Sequence, residues 1–366
     1  MRITIRRTSL LLLSSALSAL IVLVAVVVPE SAQAGAVRTA AARPSASASS
    51  KCAFSSNPYS VRHSLLEECG YTFVPRAGVQ PLRGGGESYI YHLGKLTIRY
   101  NIPPRGFDIL KASPAQLREY NLPSRRILGR QWTAEMRNVS ITAPPAALIE
   151  GPVKFAIPRC TTASGANSAC WAGYVDTGHS NYDNASANWV EPHITSDSCG
   201  NPAAEGTWVG LGGYTSSDLG QDGTAYGTGH AHGAWWEILP YNPVYSDWTG
   251  SAGDHVSAYT AHSSSGYTFY VKEGSHLLNP GVQGGSYSGS SADYITEAPG
   301  TYLANFGKIP FSAAYSYYGS SVGYGVGQLS HTKVIMRDHL GHEMAEPGSI
   351  YGPYSDDFTI QDNHCS

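Results

Sequence analysis

The chain has 366 residues, with 24 Lys and Arg against 27 Asp and Glu and a formal net charge of −3, a length that holds one large domain and a smaller segment. The charge is divided unevenly: residues 1–160 carry 20 basic and 8 acidic side chains, residues 161–366 carry 4 and 19, so the halves are formally +12 and −15. With only Lys272, Lys308, Lys333 and Arg337 as cations, the second half lacks the clustered charge that phosphate binding needs, which argues against nucleic acid as a partner.

In chain order, residues 1–34 open with Arg2, Arg6 and Arg7, continue as an apolar run and end in Ala32-Gln33-Ala34. That order reads as a secretory signal peptide cleaved after Ala34, so the expected location is extracellular, with no membrane attachment after cleavage. The Arg6-Arg7 pair is a weak match to a twin-arginine signal. Residues 35–50 are rich in Ala and Ser, with little to bury, and read as a linker. The stretch 51–160 is basic and poor in long apolar runs; its clearest element is a short helix begun by Ser113-Pro114, with Gln116 placed to close a capping box.

From residue 161 onward, Tyr, Trp, Thr and Val alternate with small or polar residues in short runs separated by Gly, Ser, Asn and Pro. The pattern predicts an all-β domain, an antiparallel sandwich or barrel, with no long amphipathic helix. The six cysteines, Cys52, Cys69, Cys160, Cys170, Cys199 and Cys365, are an even set that favours disulfides in an exported chain. Cys52–Cys69 and Cys160–Cys170 are the local pairings, leaving Cys199–Cys365, although spacing alone does not fix the connectivity.

The stretch Thr207–Pro240 gathers Trp208, Trp235 and Trp236 around Gln221 and Glu237, and Ser291–Pro299 adds Glu297 at the end of a strand-like run. A carboxylate can take a proton from an attacking water and return it to a departing amine. An amide N–H can steady the oxyanion. In a dry aromatic cleft one Gln and one Glu suffice for peptide-bond hydrolysis, with no metal or other cofactor. Read without context, Gln221 is a surface strand residue and Glu297 a solvated strand end. Glu237 is either bonded to a site or a cross-strand partner, and Trp208 and Trp235 either wall a cleft or fill the core.

The phrases WVGLGG, LGQDGT, WWEILP, GDHV and ADYITEAP occur in that order from Trp208 to Pro299. They resemble the eqolisins, the glutamic peptidase family (peptidase A4-like), whose wording is WVGIDG, L-x-Q-x-G, WYEWYP, GD and AEWIVE. The likeness runs from about Trp171 to the C-terminus, and GFDILKASPAQLREYNLPSRR is similar to the prosegment of bacterial secreted members. The resemblance implies a lectin-like (concanavalin-like) jelly-roll sandwich of two bent antiparallel sheets over residues 161–366, with a catalytic dyad at Gln221 and Glu297. It also implies a small basic prosegment, 51–160. The division of charge has this segment dock on the acidic domain and inhibit it near neutral pH; acid releases it with self-processing near Pro158–Gly165, so the enzyme is expected to work in acid. Substrates would be polypeptides and the enzyme a monomer. Glu237, Trp208 and Trp235 would lie beside the dyad, against substrate. Three departures stand out: Gly212 replaces an Asp, Asp293 replaces a Glu, and WWEILP replaces WYEWYP.

Other chemistries are poorly represented. Asp176-Thr177-Gly178 repeats an aspartic peptidase phrase once only, and that mechanism needs two carboxylates sharing a proton. His230/His232 and His339/His342 fall short of the three ligands a metal site usually takes. A β-sandwich rich in Tyr and Trp could instead be a non-catalytic module for carbohydrate or peptide, although such a module has little use for a basic segment that masks an acidic cleft.

Overall fold

The computed structural model describes residues 52, 57–128, 131–137, 139–152, 167–195, 203–228, 233–299, 302–319, 322–338 and 340–363. The signal and linker stretches, the processing region 158–165, Cys160, Cys199, Cys365, His230, His232 and His339 lie outside them. Among the described residues four short α-helices occur: α1 (His63–Glu68), α2 (Pro114–Glu119), α3 (Arg125–Leu128) and α4 (Trp132–Met136). The capping box read from the sequence is present, with Ser113 N–H donating to Gln116 Oε1 at 3.0 Å and Gln116 N–H to Ser113 Oγ at 3.3 Å. Cys52 and Cys69 form a disulfide, and Cys170 is also disulfide-bonded.

Strands are the main element. The N-terminal stretch supplies β1 (Thr72–Pro81), β2 (Glu87–Leu93), β3 (Leu96–Ile102) and β4 (Ala147–Glu150). The later stretch begins with β5 (Asn167–Ser168), β6 (Trp171–Asp176), β7 (Tyr182–Val190), β8 (Ala203–Gly212), β9 (Leu219–Thr228), β10 (Gly233–Ile238) and β11 (Val244–Tyr245). It continues with β12 (His255–Ser263), β13 (Gly266–Glu273), β14 (His276–Leu278), β15 (Gly281–Gln283), β16 (Ala292–Glu297) and β17 (Tyr302–Leu303). It ends with β18 (Lys308–Tyr318), β19 (Tyr324–Gly325), β20 (His331–Arg337), β21 (Glu343–Pro347) and β22 (Phe358–Asp362).

A front sheet runs β20–β6–β16–β8–β9–β10–β11–β4–β1. A back sheet runs β1–β2–β3–β15–β13–β12–β7–β18. Strand β1 belongs to both: Thr72–Pro75 pair with β4, and Arg76–Pro81 with β2 across a register break at Arg76/Gly78. On the far side β18, β22, β21 and β20 join the sheets again. Among the described residues the two layers thus form an all-β sandwich whose ladders close into a circuit.

The inner faces meet in one core where Trp236 stacks on Phe269 at 5.4 Å. Val74, Tyr91, Ile98 and Leu148 from the N-terminal stretch are buried in that same core, each contributing about 1.5–3 kcal/mol. The basic stretch is therefore more than a helix on a linker: β3 buries Leu96, Ile98 and Tyr100 by period-2 alternation, a signal that shows no long apolar run. α2, α3 and α4 pack a second cluster, with Trp132 and Leu117, onto Tyr259 and Tyr270 of the back sheet's outer face. An ion pair across this junction, Lys272 Nζ to Glu135 Oε2 at 3.2 Å, has the opposite polarity to the charge of the two halves.

Candidate active site

Residues directly opposite one another in a ladder share a face, so the register of β16, β8, β9 and β10 lays out the front sheet's outer surface in rows. One row reads Glu297, Gly206, Ala225, Gly233; the next Ile295, Trp208, Gly223, Trp235; the third Asp293, Gly210, Gln221, Glu237. Every sequence-predicted site residue falls on this face. Gln221 and Glu297 lie on the two strands flanking β8, four register positions apart along it, with Trp208 between them.

The indole links the two. Trp208 Nε1 donates to Glu297 Oε2 at 3.0 Å, while the opposite ring edge lies over Gly210, where an added Cβ would sit 2.9 Å from Trp208 Cζ3 and 3.2 Å from Gln221 Cβ. Trp171 meets Trp208 edge-on at 5.1 Å. Gln221 Nε2 donates to Glu237 Oε2 at 2.5 Å, and Gln221 Oε1 has no hydrogen-bond partner. Trp208, Gln221 and Glu237 are sealed from solvent, whereas Glu297 keeps 8% exposure. A Cβ at Gly206 would meet nothing nearer than 3.9 Å, so space opens beside Glu297 with Trp235 at its margin. Glu237 is thus both a cross-strand partner and bonded to the site, and Trp208 both core and wall.

The departures have physical reasons. Gly212 turns the chain with φ +87°, and a Cβ there would lie 2.3 Å from Asp218 O, so an Asp does not fit this backbone. Asp293 remains on the face, fully buried; burial pushes its carboxyl well above the ordinary range, with the Ser291 hydroxyl opposing.

Asp176 points the other way. It is buried between the sheets, accepts from Ser316 Oγ, and burial raises its pKa well above normal. Alternation turns further polar residues of β8 and β9 inward, among them Glu205, Thr207, Asp222, Thr224 and Tyr226, and these no local phrase announces. Glu205 Oε2 accepts from Thr207 Oγ1 at 2.8 Å, and Asp222 accepts from Thr260 Oγ1 and Tyr270 N–H, each at 2.7 Å. Glu191 takes Trp189 Nε1 at 3.1 Å, and Tyr226 donates to Glu273. Burial raises the pKa of all four carboxyls. Among the described residues no group of three or more His, Cys, Asp and Glu could hold a metal ion, and His342 Nδ1 pairs with Asp338 at 2.8 Å.

Residues 169–337 match the Peptidase A4 family. No curated protein matches the chain. Among solved structures, scytalido-glutamic peptidase with a transition state analog inhibitor is similar at 18% identity and a TM-score of 0.46, over 53% of this chain and 98% of that one. The same peptidase with a peptide-based transition state analog gives 19% and 0.44 over the same shares. SCP-B, a member of the eqolisin family of peptidases in complex with the tripeptide Ala-Ile-His, gives 18% and 0.42, again over 53% and 98%.

Proposed function

We infer, from a chain whose residues 169–337 belong to the Peptidase A4 family and which is therefore a peptide-bond hydrolase of the glutamic type, that Gln221 and Glu297 are its catalytic pair. The observation that carries this is the Trp208 indole, which donates to Glu297 while its far edge packs beside Gln221. Glu297 takes the proton of a water as it attacks the scissile carbonyl, then gives it to the departing amine. The Trp208 N–H fixes one carboxylate oxygen and so orients the Glu297 carboxylate. Gln221, anchored through its amide to Glu237, presents its second N–H to the oxyanion. Substrate enters over Gly206, where no side chain stands, against Trp235.

The enzyme is exported, acts in acid as a monomer and is made as a zymogen whose prosegment spans residues 51–160. In support, β1–β4 occupy both sheet edges, and the pair nearest the site, Gln221 and Glu237, is sealed from solvent. Strand ladders hold the prosegment alongside the attraction between its basic charge and the acidic remainder; acid weakens that attraction as carboxylates protonate, and cleavage near Pro158–Gly165 completes release. Following the chain's mass across a pH series tests this; processing fastest at neutral pH rules out the acid trigger.

The dyad is tested by hydrolysis of a denatured protein at acid pH, with pepstatin and a chelator as controls. Wild type is expected to be active and resistant to both, and folded Gln221→Ala and Glu297→Gln to lose activity by about 10³-fold or more. Active variants would remove the dyad, and sensitivity to pepstatin would redirect attention to Asp176.

A further inference from the structure

We propose a second binding site, for a saccharide of one or two rings, on the outer face of the back sheet where β7 and β18 meet α3 and the turn 353–357. A cavity of about 490 Å³ lies there, in the range that small-molecule sites occupy. It is on the opposite side of the sandwich from Glu297, and it goes beyond the peptidase reading.

The cavity is built by a departure from regular strand geometry. Pairing of β18 with β7 breaks between Ser312 and Tyr315, and Ala313 sits at φ +50°, a region that residues with a side chain seldom enter. Asp357 Oδ1 accepts the Ala313 N–H at 3.2 Å, and the Asp356 carbonyl accepts from Ala314 N–H at 2.9 Å, so the turn holds the strand in this shape. Bulges that re-aim side chains in this way cluster next to functional sites.

The lining supplies the recognition chemistry. Asp356 is only 6% exposed, receives the Tyr315 hydroxyl, and has Oδ1 without any partner. A buried carboxylate oxygen left open needs a donor, and a sugar hydroxyl or ammonium supplies one. Tyr315 and the 43%-exposed Tyr354 offer ring faces for the C–H side of a pyranose. Asn188, whose amide N–H donates to Gln131 Oε1, borders the cavity, and Arg126 lies over Tyr317 at 5.7 Å. Two carboxylates, Asp356 and Asp357, against one guanidinium make the cavity net negative, so an amino sugar is preferred to a neutral sugar and an acidic sugar is refused.

The site spans residues on both sides of the 153–166 stretch, so the full chain is the form to test, with Glu297→Gln to prevent self-cleavage. Isothermal titration with a glucosamine disaccharide, with cellobiose and with glucuronic acid is the experiment. Saturable binding is expected in that order of affinity, glucuronic acid giving none. Asp356→Asn should weaken the disaccharide by about tenfold or more, and Tyr354→Ala, at an exposed position, should weaken it without affecting the fold. In the wild-type background Asp356→Asn should leave peptide hydrolysis unchanged. Absence of saturable heat with all three sugars overturns the proposal, as does binding that survives both substitutions. Because the titration reads no catalysis, it stands or falls apart from the dyad.

Discussion

On the inner face of the front sheet, Glu205 is met by the Thr207 hydroxyl of its own strand, and Asp222 by the Thr260 hydroxyl and the Tyr270 N–H of the back sheet. On the outer face of the same two strands, Trp208 and Gln221 alternate with Gly206, Gly210 and Gly223; Trp208 closes over Gly210 and Gly223, while Gly206 leaves room beside Glu297. Both faces bury carboxyl and amide groups, so burial does not distinguish them. Vacancy does, at one point: neighbouring side chains close in on the inner groups, whereas Gly206 leaves the ground beside Glu297 open. A network that holds a fold and a site that receives a substrate can therefore be built on successive residues of one strand.

The largest expected effects would break this contrast outright. Exchanging Glu297 for Gln on the outer face should cost about 10³-fold in kcat, while Asp222→Asn inside should act through stability and leave the kcat of folded protein within about threefold. Glycines provide the next test. Gly210→Ala would press on Trp208 and Gln221 at 2.9 and 3.2 Å, and a small misplacement of this kind should lower kcat/KM by about 10- to 100-fold. Gly220→Ala, on the inner face, would meet the Tyr267 ring at 2.3 Å and should cost about 1–3 kcal/mol of stability with little change in kcat. Kinetics and urea melts of the two variants separate the outcomes; if Gly220→Ala were the kinetic mutant and Gly210→Ala the unstable one, the contrast would be reversed.

How far this was legible in the sequence follows from range. Ser113 and Gln116 declare their capping box within four residues, and Cys52–Cys69 was the local pairing. Gly-punctuated Tyr, Trp and Thr runs announce strands, and the phrases around Gln221 and Glu297 put both on strands, as found. Register is different. That Gln221 stands opposite Glu237, and Glu297 opposite Gly206, depends on strands meeting across loops, which no phrase encodes. Glu191, Glu205 and Glu273 come from β8, β13 and the end of β7, and nothing local marks them as neighbours. The N-terminal strands escaped notice because alternation in ESYIYHL and LTIRYNI was masked by exposed charges, and their partners lie far along the chain.

The smallest effect sharpens the contrast by pH. Glu191, Glu205 and Glu273 each keep one oxygen without a hydrogen-bond partner, and they interact with one another and, through Glu273, with Asp254. Tyr226 lies against them, Gly250 packs on Glu273, and His276 stands opposite Glu273 in the ladder. Burial raises all three carboxyls in the folded chain, with their mutual repulsion adding to it, so the native state holds protons that the unfolded chain has released. Their stabilisation is complete below the ordinary carboxyl range, about pH 4, and is lost as pH rises through the folded values, so the fold favours acid. Glu205→Gln keeps the Thr207 contact and cannot ionise. Its Tm at pH 4 should lie close to that of wild type, while at pH 7 it should stand above it by about 2–4 °C. Thermal melts across that range decide: parallel curves would mean that the inner carboxyls do not set the acid preference, which would then have to come from the outer face, with Asp293 the next buried carboxyl to replace.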